Sequence, residues 1–531
     1  MSSTTKSTSH FVFSALPAWG HAKSFCILAA RLVEANTNVF VTLILAPILL
    51  EKAETEVAAE FQSTKASEET RKRVRILSSF KSDSPDLFSL LKPLVETYGP
   101  AYQTLLESKP ISCAVTGKVF DAVPPPNVVV LDFFAYYQML ATRAITGNTV
   151  PILAWVTGHT SHGVRLFGPA SHGGSFEDLS ARIEAEAART GKTPLEIGDK
   201  IYRHTEGKIV QIAGLPDMYD WEAFPQTRNH QNSPSVSPYR EYTYNRTHED
   251  SITLRGLKEC DAVFATTAYA FEAESIGAFK SWFASWKKDA YVIGPVLSTR
   301  KVEDAPGSTE TKDFLEKAQA EYGEKSVLLI SFGTIFWPSE QNYIEEVIEA
   351  LVEKKFPFIL SYASPWAKIS DDLAQKIKAT GLGLISKWVP QQYILTHPAT
   401  GWFMTHGGHN SVMETLASGI PVICWPFEAD QPAAAAHMTE NLNVAFELVE
   451  VRTGENGLKP LLRNGRKAKG TREAVGVEIR EVIDACRSAK GDELRKNAQA
   501  LKIKFAEAWA ADGVSKKEFR AFVEKYGLNL L

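Results

Sequence analysis

The stretch W-V-P-Q-Q-Y-I-L-T-H-P-A-T-G-W-F-M-T-H-G-G-H-N-S-V-M-E-T-L-A-S-G-I-P-V-I-C-W-P-F-E-A-D-Q, Trp388 to Gln431, decides how the chain is read. It holds two joints between strand and helix. The apolar run Gly401 to Met404 leads into Thr405-His406-Gly407-Gly408-His409-Asn410-Ser411. A helix follows, because Val412, Met413, Leu416 and Ala417 recur on one helical face. Gly419 closes that helix, and Pro421 to Trp425 predicts the next buried strand.

A Gly-Gly turn that feeds a helix N-terminus is a ready anion site. Backbone N–H groups point outward, the helix dipole favours negative charge, and glycines let a phosphate come close. Asn410 and Ser411 suit the N-cap region, and His406 adds a donor beside the loop. Glu414, one turn in, can accept two ribose hydroxyl hydrogens. Trp388 offers a flat face for a base, and Asp430 and Gln431 can bind sugar hydroxyls. Together these are the parts of a nucleotide-sugar site.

The segment resembles the donor-binding signature of the UDP-dependent glycosyltransferases of the family-1, GT-B type, in particular plant and fungal small-molecule glucosyltransferases. It begins W-x-P-Q, contains H-x-G-x-N-S-x-x-E and ends D-Q. Its span is the one usual in plant members. It departs at His409, where plant members carry Trp, a position that mostly contributes backbone. The resemblance implies an α/β chain of GT-B architecture, with two doubly wound Rossmann-like domains facing across a cleft. It implies that Trp388, with Val389 beside it, holds uracil, and that Gln391 and Glu414 bind ribose. His406, Gly408, Asn410, Ser411 and Thr334 would hold the diphosphate, and Asp430 and Gln431 would read the sugar. In plant members a terminal Gln favours glucose, so the resemblance implies through Gln431 that UDP-glucose is the donor.

The first half of the chain opens as β-loop-α-β. His10 to Leu16 predicts a strand, Pro17 to His21 a turn, Ser24 to Ala35 a helix and Val39 to Leu45 a second strand. The first loop lacks G-x-G-x-x-G, which argues against a nicotinamide or flavin site. His21 stands at the carboxyl end of the first strand, where open α/β sheets place their chemistry. On position alone it either lines the turn or serves the reaction; the resemblance implies that it is the catalytic base. Asn127 to Leu131 predicts a strand that delivers Asp132. Alone, Asp132 reads either as a helix cap or as a partner for a histidine; the resemblance implies a His21–Asp132 pair. Thr157, after the strand Pro151 to Val156, matches the family position near the donor sugar, while His159 and His162 read as polar loop residues.

From Ala170 to about Asp250 the pattern loosens into a charged helix (Phe176 to Thr190) and a polar aromatic stretch with Tyr239, Tyr242 and Tyr244. In the family this region shapes the acceptor pocket. Phe134, Trp155, Phe167, Met218, Trp221 and Phe224 are candidate apolar walls, with core packing the simpler reading of each. Short strands at Ala262 to Thr266 and Tyr291 to Ile293 finish the first domain. The expected division is 1–300 for an acceptor-binding domain, 301–312 for a linker and 313–510 for a nucleotide-sugar-binding domain. Residues 511–531 hold a helix with Phe519, Phe522 and Val523 on one face, which the resemblance takes back to the first domain. The basic stretch Lys459 to Arg472 reads as a solvated loop.

Composition bounds the rest. A chain of 531 residues exceeds one ordinary core, and 44% hydrophobic with 23% charged residues describes a globular protein. A net charge of −4 argues against general nucleic-acid binding. Five scattered cysteines without metal-ligand spacing predict a reducing compartment, hence the cytoplasm, and no zinc. Met1 to Ser9 lacks an apolar signal region, so the sequon Asn245-Arg246-Thr247 reads as chance. The run Val39 to Leu50 is too short to span a bilayer. No D-x-D manganese clamp is present, and Asp371-Asp372 lacks its spacing, so no cofactor or metal is expected. The expected partners are a UDP-sugar and a small apolar acceptor of secondary metabolism, met by a monomer. Rival readings are a same-fold enzyme such as an epimerase, a non-catalytic UDP-sugar-binding subunit and a structural protein.

Overall fold

The computed structural model describes residues 8–176, 178–227, 253–298, 308–528 and 530. Two parallel sheets organise them. The first has seven strands: β1 (Ser9–Ser14), β2 (Val39–Ile44), β3 (Val74–Leu77), β4 (Val128–Asp132), β5 (Ile152–Val156), β6 (Ala262–Ala265) and β7 (Asp289–Val292). They lie in the order β7-β6-β5-β4-β1-β2-β3. The second has β8 (Val327–Ser331), β9 (Phe358–Ser361), β10 (Gly383–Ser386), β11 (Thr400–Thr405), β12 (Val422–Cys424) and β13 (Ala445–Glu447), ordered β10-β9-β8-β11-β12-β13. This is the doubly wound GT-B pattern. Val128-Val129-Val130-Leu131 shows why the strands read as apolar runs rather than alternations: helices cover both faces, so every side chain is buried.

In each sheet the strand order reverses beside the first strand, between β1 and β4 and between β8 and β11. Loops leaving the carboxyl ends at such a switch point open a crevice that no crossing helix fills. His21 follows β1 and Asp132 ends β4, while the Gly333 turn follows β8 and the Gly407-Gly408 turn follows β11. The two switch points face each other: Asn410 Nδ2 donates to the Gly20 carbonyl at 2.7 Å.

Several elements differ from the sequence reading. The first helix spans Trp19–Ala35, so His21 lies in its first turn and not in a preceding loop. Residues 50–126, for which the sequence pattern predicts no element, hold helices Leu50–Thr64 and Leu91–Leu106 and the strand β3. Of the proposed linker, 301–307 lie outside the described residues and 308–312 open the helix Ser308–Tyr322. Tyr239, Tyr242, Tyr244 and the sequon Asn245-Arg246-Thr247 also lie outside them. The helix Val514–Lys525 packs on the first sheet, with Phe522 fully buried 4.7 Å from the Phe264 ring and 5.8 Å from Tyr291.

The stretch 459–472 is solvated from Asn464 to Lys467 and from Lys469 to Thr471, but its arginines are ion-paired. Arg463, nearly buried, meets Glu222 of the first domain at 2.8 Å and also pairs with Glu447. Arg466 meets Glu478 at 2.6 Å, and Arg472 meets Glu346 and Glu349 at 2.7 Å each. The planar guanidinium fork matches carboxylate geometry, which draws these arginines onto acids far away in sequence. Trp221 Nε1 donates to Pro460 O at 2.8 Å and Gln226 Nε2 to Val451 O at 2.9 Å, so residues 221–227 strap the domains together.

Candidate active site

His21 Nδ1 lies 2.6 Å from Asp132 Oδ2, with the histidine side chain 21% exposed and the aspartate fully buried. Asp132 Oδ1 accepts the Phe134 N–H at 3.1 Å, so both carboxylate oxygens are engaged. Such a partner requires the hydrogen on Nδ1 and leaves a lone pair on Nε2. The Phe133 and Phe134 rings stand 6.3 and 5.9 Å from the imidazole and form an apolar wall beside it. Thr157 Oγ1 reaches the Gly20 carbonyl at 3.4 Å, one residue from His21. Of the other candidate acceptor walls, Trp155, Phe167, Met218 and Phe224 are core residues, and Trp221 serves the interdomain strap.

On the opposite side, His406 is wedged between two glycine turns. A Cβ on Gly408 would stand 2.4 Å from His406 Nε2, and one on Gly333 would stand 3.0 Å from Cε1. Burial lowers the His406 imidazole to about 4, so it meets the cleft as a neutral donor. Gly333 has φ +75°, a left-handed conformation that side chains resist. Gly333→Ala should therefore destabilise the fold by about 1–3 kcal/mol and weaken UDP binding, as read by urea unfolding and by calorimetric titration of UDP. The helix His409–Ser418 starts from Gly408 with no side-chain cap. Asn410 does not cap it, because its amide crosses to Gly20.

Glu414 and Gln391 do meet: Gln391 Nε2 donates to Glu414 Oε2 at 2.9 Å. Lys23, which sequence reasoning missed, reaches Glu414 Oε1 at 2.5 Å from the first-domain helix that carries His21. Its only sequence signal is its place two residues after His21. Trp388 keeps 49% of its surface exposed, an unusual state for an indole and a suitable platform for a base. Val389 is buried with Ile394 and Leu395, so only its backbone can face a ligand. Thr334 is exposed at the turn after β8, and Ser411 is half-buried in the first turn of the His409 helix.

Gln431 is 2% exposed, and its Oε1 accepts the N–H groups of Phe427 and Glu428 at 2.9 and 3.3 Å, which fixes the turn that carries Asp430. His159, read from sequence as a polar loop residue, is 1% exposed. It stacks on Phe271 at 4.7 Å and meets His409 across the domain boundary.

The family model "UDP-glucoronosyl and UDP-glucosyl transferase" matches residues 297–465, the stretch that carries the donor loops. UDP-glycosyltransferase eriJ of Hericium erinaceus is 28% identical over 98% of this chain and 99% of its own length. UDP-glycosyltransferase 84A1 of Arabidopsis thaliana is 35% identical, but over 38% of this chain and 40% of its own length. The structure of Phytolacca americana UGT2 complexed with UDP-2fluoro-glucose and pterostilbene has a TM-score of 0.65 and 16% identity, covering 98% of this chain and all of that one, and shares the fold. No helix among the described residues is long and apolar enough to cross a membrane. Residues 297–465 thus match the model of that transferase family, and over nearly its whole length the chain is similar to a UDP-glycosyltransferase.

Proposed function

We propose that the enzyme transfers glucose from UDP-glucose to a hydroxyl of a small apolar acceptor, such as a phenolic, terpenoid or sterol of secondary metabolism, with inversion and with His21 as general base. The observation that carries the reading is the 2.6 Å His21–Asp132 bond at the switch point facing the glycine turns. Asp132 holds the tautomer, and the His21 Nε2 lone pair takes the hydroxyl proton as the oxygen attacks the anomeric carbon. The leaving UDP departs from the opposite face, so a single displacement inverts that carbon.

Charge developing on the diphosphate would be met by the N-terminus of the helix His409–Ser418 and by neutral His406, Gly408, Asn410, Ser411 and Thr334, with no step through a metal. Trp388 and the Val389 backbone would hold the base, Gln391 and Glu414 the ribose, and Thr157, Asp430 and Gln431 the sugar. Glucose is favoured by Gln431 and by the UDP-2fluoro-glucose bound in the Phytolacca relative; an apolar acceptor is favoured by Phe133 and Phe134 and by the pterostilbene there. All five cysteines are free and buried, in keeping with work in the cytoplasm.

The test is UDP release from UDP-glucose with a panel of phenols, flavonoids, terpenols and sterols. Acceptor-dependent release with an inverted glycoside as product is expected. Saturable UDP binding with no release from any acceptor or UDP-hexose would overturn the assignment.

A further inference from the structure

An arm of the first domain reaches the turn that carries Asp430. The helix Pro194–Tyr202 ends at Arg203, whose Nη2 donates to Glu428 Oε2 at 2.7 Å. Asp199, one turn back, meets the guanidinium at 3.3 Å, and the Phe224 ring lies 5.2 Å from it. The arginine and glutamate side chains are 19% and 9% exposed. Two residues beyond Arg203, Thr205 Oγ1 donates to Asn456 Oδ1 of the second domain at 3.0 Å.

Glu428 opens a tight turn. Its carbonyl accepts the Gln431 N–H at 3.2 Å, and its own N–H donates to Gln431 Oε1 at 3.3 Å. Between them Ala429 has φ +60°, a left-handed conformation that a residue with a Cβ resists. Such a conformation persists only where its surroundings over-determine it. Two side chains do so here: Gln431 ties the turn from inside, and Arg203 holds Glu428 from the other domain. A carboxylate so little exposed keeps its guanidinium partner, because separating them strands a buried charge. Asp430 follows Ala429 directly, so the backbone angle at Ala429 sets where its carboxylate points. The pair is not needed to join the domains, since Arg463–Glu222, Trp221–Pro460, Gln226–Val451 and Thr205–Asn456 already do so. Arg203 differs from those links in ending on the Asp430 turn itself.

We propose that Arg203 is a positioning residue for recognition of the donor sugar: through Glu428 it holds the strained turn Glu428–Gln431 in the form that presents Asp430 to the hydroxyls of the transferred hexose. The proposal rests on Asp430 as a sugar contact. Arg203 comes from the first domain and the turn from the second. Discrimination between hexoses therefore draws on a first-domain side chain that never touches the sugar, whereas the contacts assigned to the uridine lie on the second domain.

The test compares wild type with Arg203→Met, Asp430→Asn and the Arg203→Met/Ala429→Gly double variant. Three quantities are read: calorimetric Kd for UDP, KM for UDP-glucose, and the preference for UDP-glucose over UDP-galactose. Arg203→Met should raise the UDP-glucose KM about tenfold and flatten the donor preference, while Kd for UDP stays within about twofold. Adding Ala429→Gly should recover part of both, because glycine keeps the left-handed angle without being held there. A link that merely joined the domains would gain nothing from that second change. If Arg203→Met does not fold, Glu428→Met breaks the same pair from the other side and should give the same pattern. An unchanged KM and donor preference in a folded Arg203 or Glu428 variant would overturn the proposal. So would a Kd for UDP that weakens as much as the UDP-glucose KM, or a double variant no better than Arg203→Met. A donor preference intact in Asp430→Asn, or a wild type that binds UDP but turns over no UDP-hexose, would instead overturn the sugar-contact or donor assignment, and this proposal with it.

Discussion

His21→Ala should lower kcat by about 10²- to 10⁴-fold, the range of a positioned general base, and leave Kd for UDP within about twofold. The separation follows from the geometry. His21 faces the cleft from the first sheet, whereas Gln391, Glu414 and His406, the candidate UDP contacts, belong to the second-domain loops. Asp132→Asn should cost nearly as much. Its Oδ1 receives the Phe134 N–H, so in the variant the amide nitrogen faces His21 Nδ1 and demands a lone pair there. The hydrogen then moves to Nε2 and blocks proton abstraction, a loss of about 10³- to 10⁴-fold by analogy with other His-Asp pairs. UDP release with the best acceptor, alongside UDP titration, separates the two quantities. Transfer that survives in His21→Ala would assign the base to another group.

Arg463→Ala should be the most destabilising single change at the domain boundary, by about 3–5 kcal/mol, because removing one member of a buried ion pair strands the others. The Glu222 and Glu447 side chains are 0% and 4% exposed. Burial alone would push the Glu447 carboxyl up, but Arg463 and Arg452 outweigh it and hold it below 4.5. A carboxyl held lower in the folded than in the unfolded chain contributes stability above the unfolded value, and that stability is lost as pH falls through the folded one. The gap between wild type and Arg463→Ala in urea midpoint should therefore be large at pH 7 and shrink below about pH 4.5. An equal gap at both pH values would mean that packing of the guanidinium, not its charge, holds the boundary.

What the sequence made legible follows the range over which each feature is specified. The donor loops lie within Trp388–Gln431, and their turn, helix and strand obey local rules, so their roles could be read in order. His21 and Asp132 stand 111 residues apart, and composition cannot bring them together; the resemblance paired them and β1 beside β4 shows how. The strand β3 escaped notice because Arg75 interrupts its apolar run; that side chain is buried with its guanidinium 5.6 Å from the Phe120 ring. The basic stretch is largely exposed, as its composition suggests, but nothing local shows that Arg463 answers to Glu222, 241 residues earlier. His159 was misread for the same reason, since its neighbour His409 is 250 residues away on the other domain.

The helix Val514–Lys525 covers the aromatic seam formed by Phe264 and Tyr291. A ribosome delivers that seam long before it delivers Phe522. The domain translated second can therefore finish folding before the domain translated first, which holds an unroofed apolar strip until elongation is nearly over. Holding such a strip open invites association between nascent chains on one messenger, and gives chaperones a reason to attend this protein throughout its synthesis.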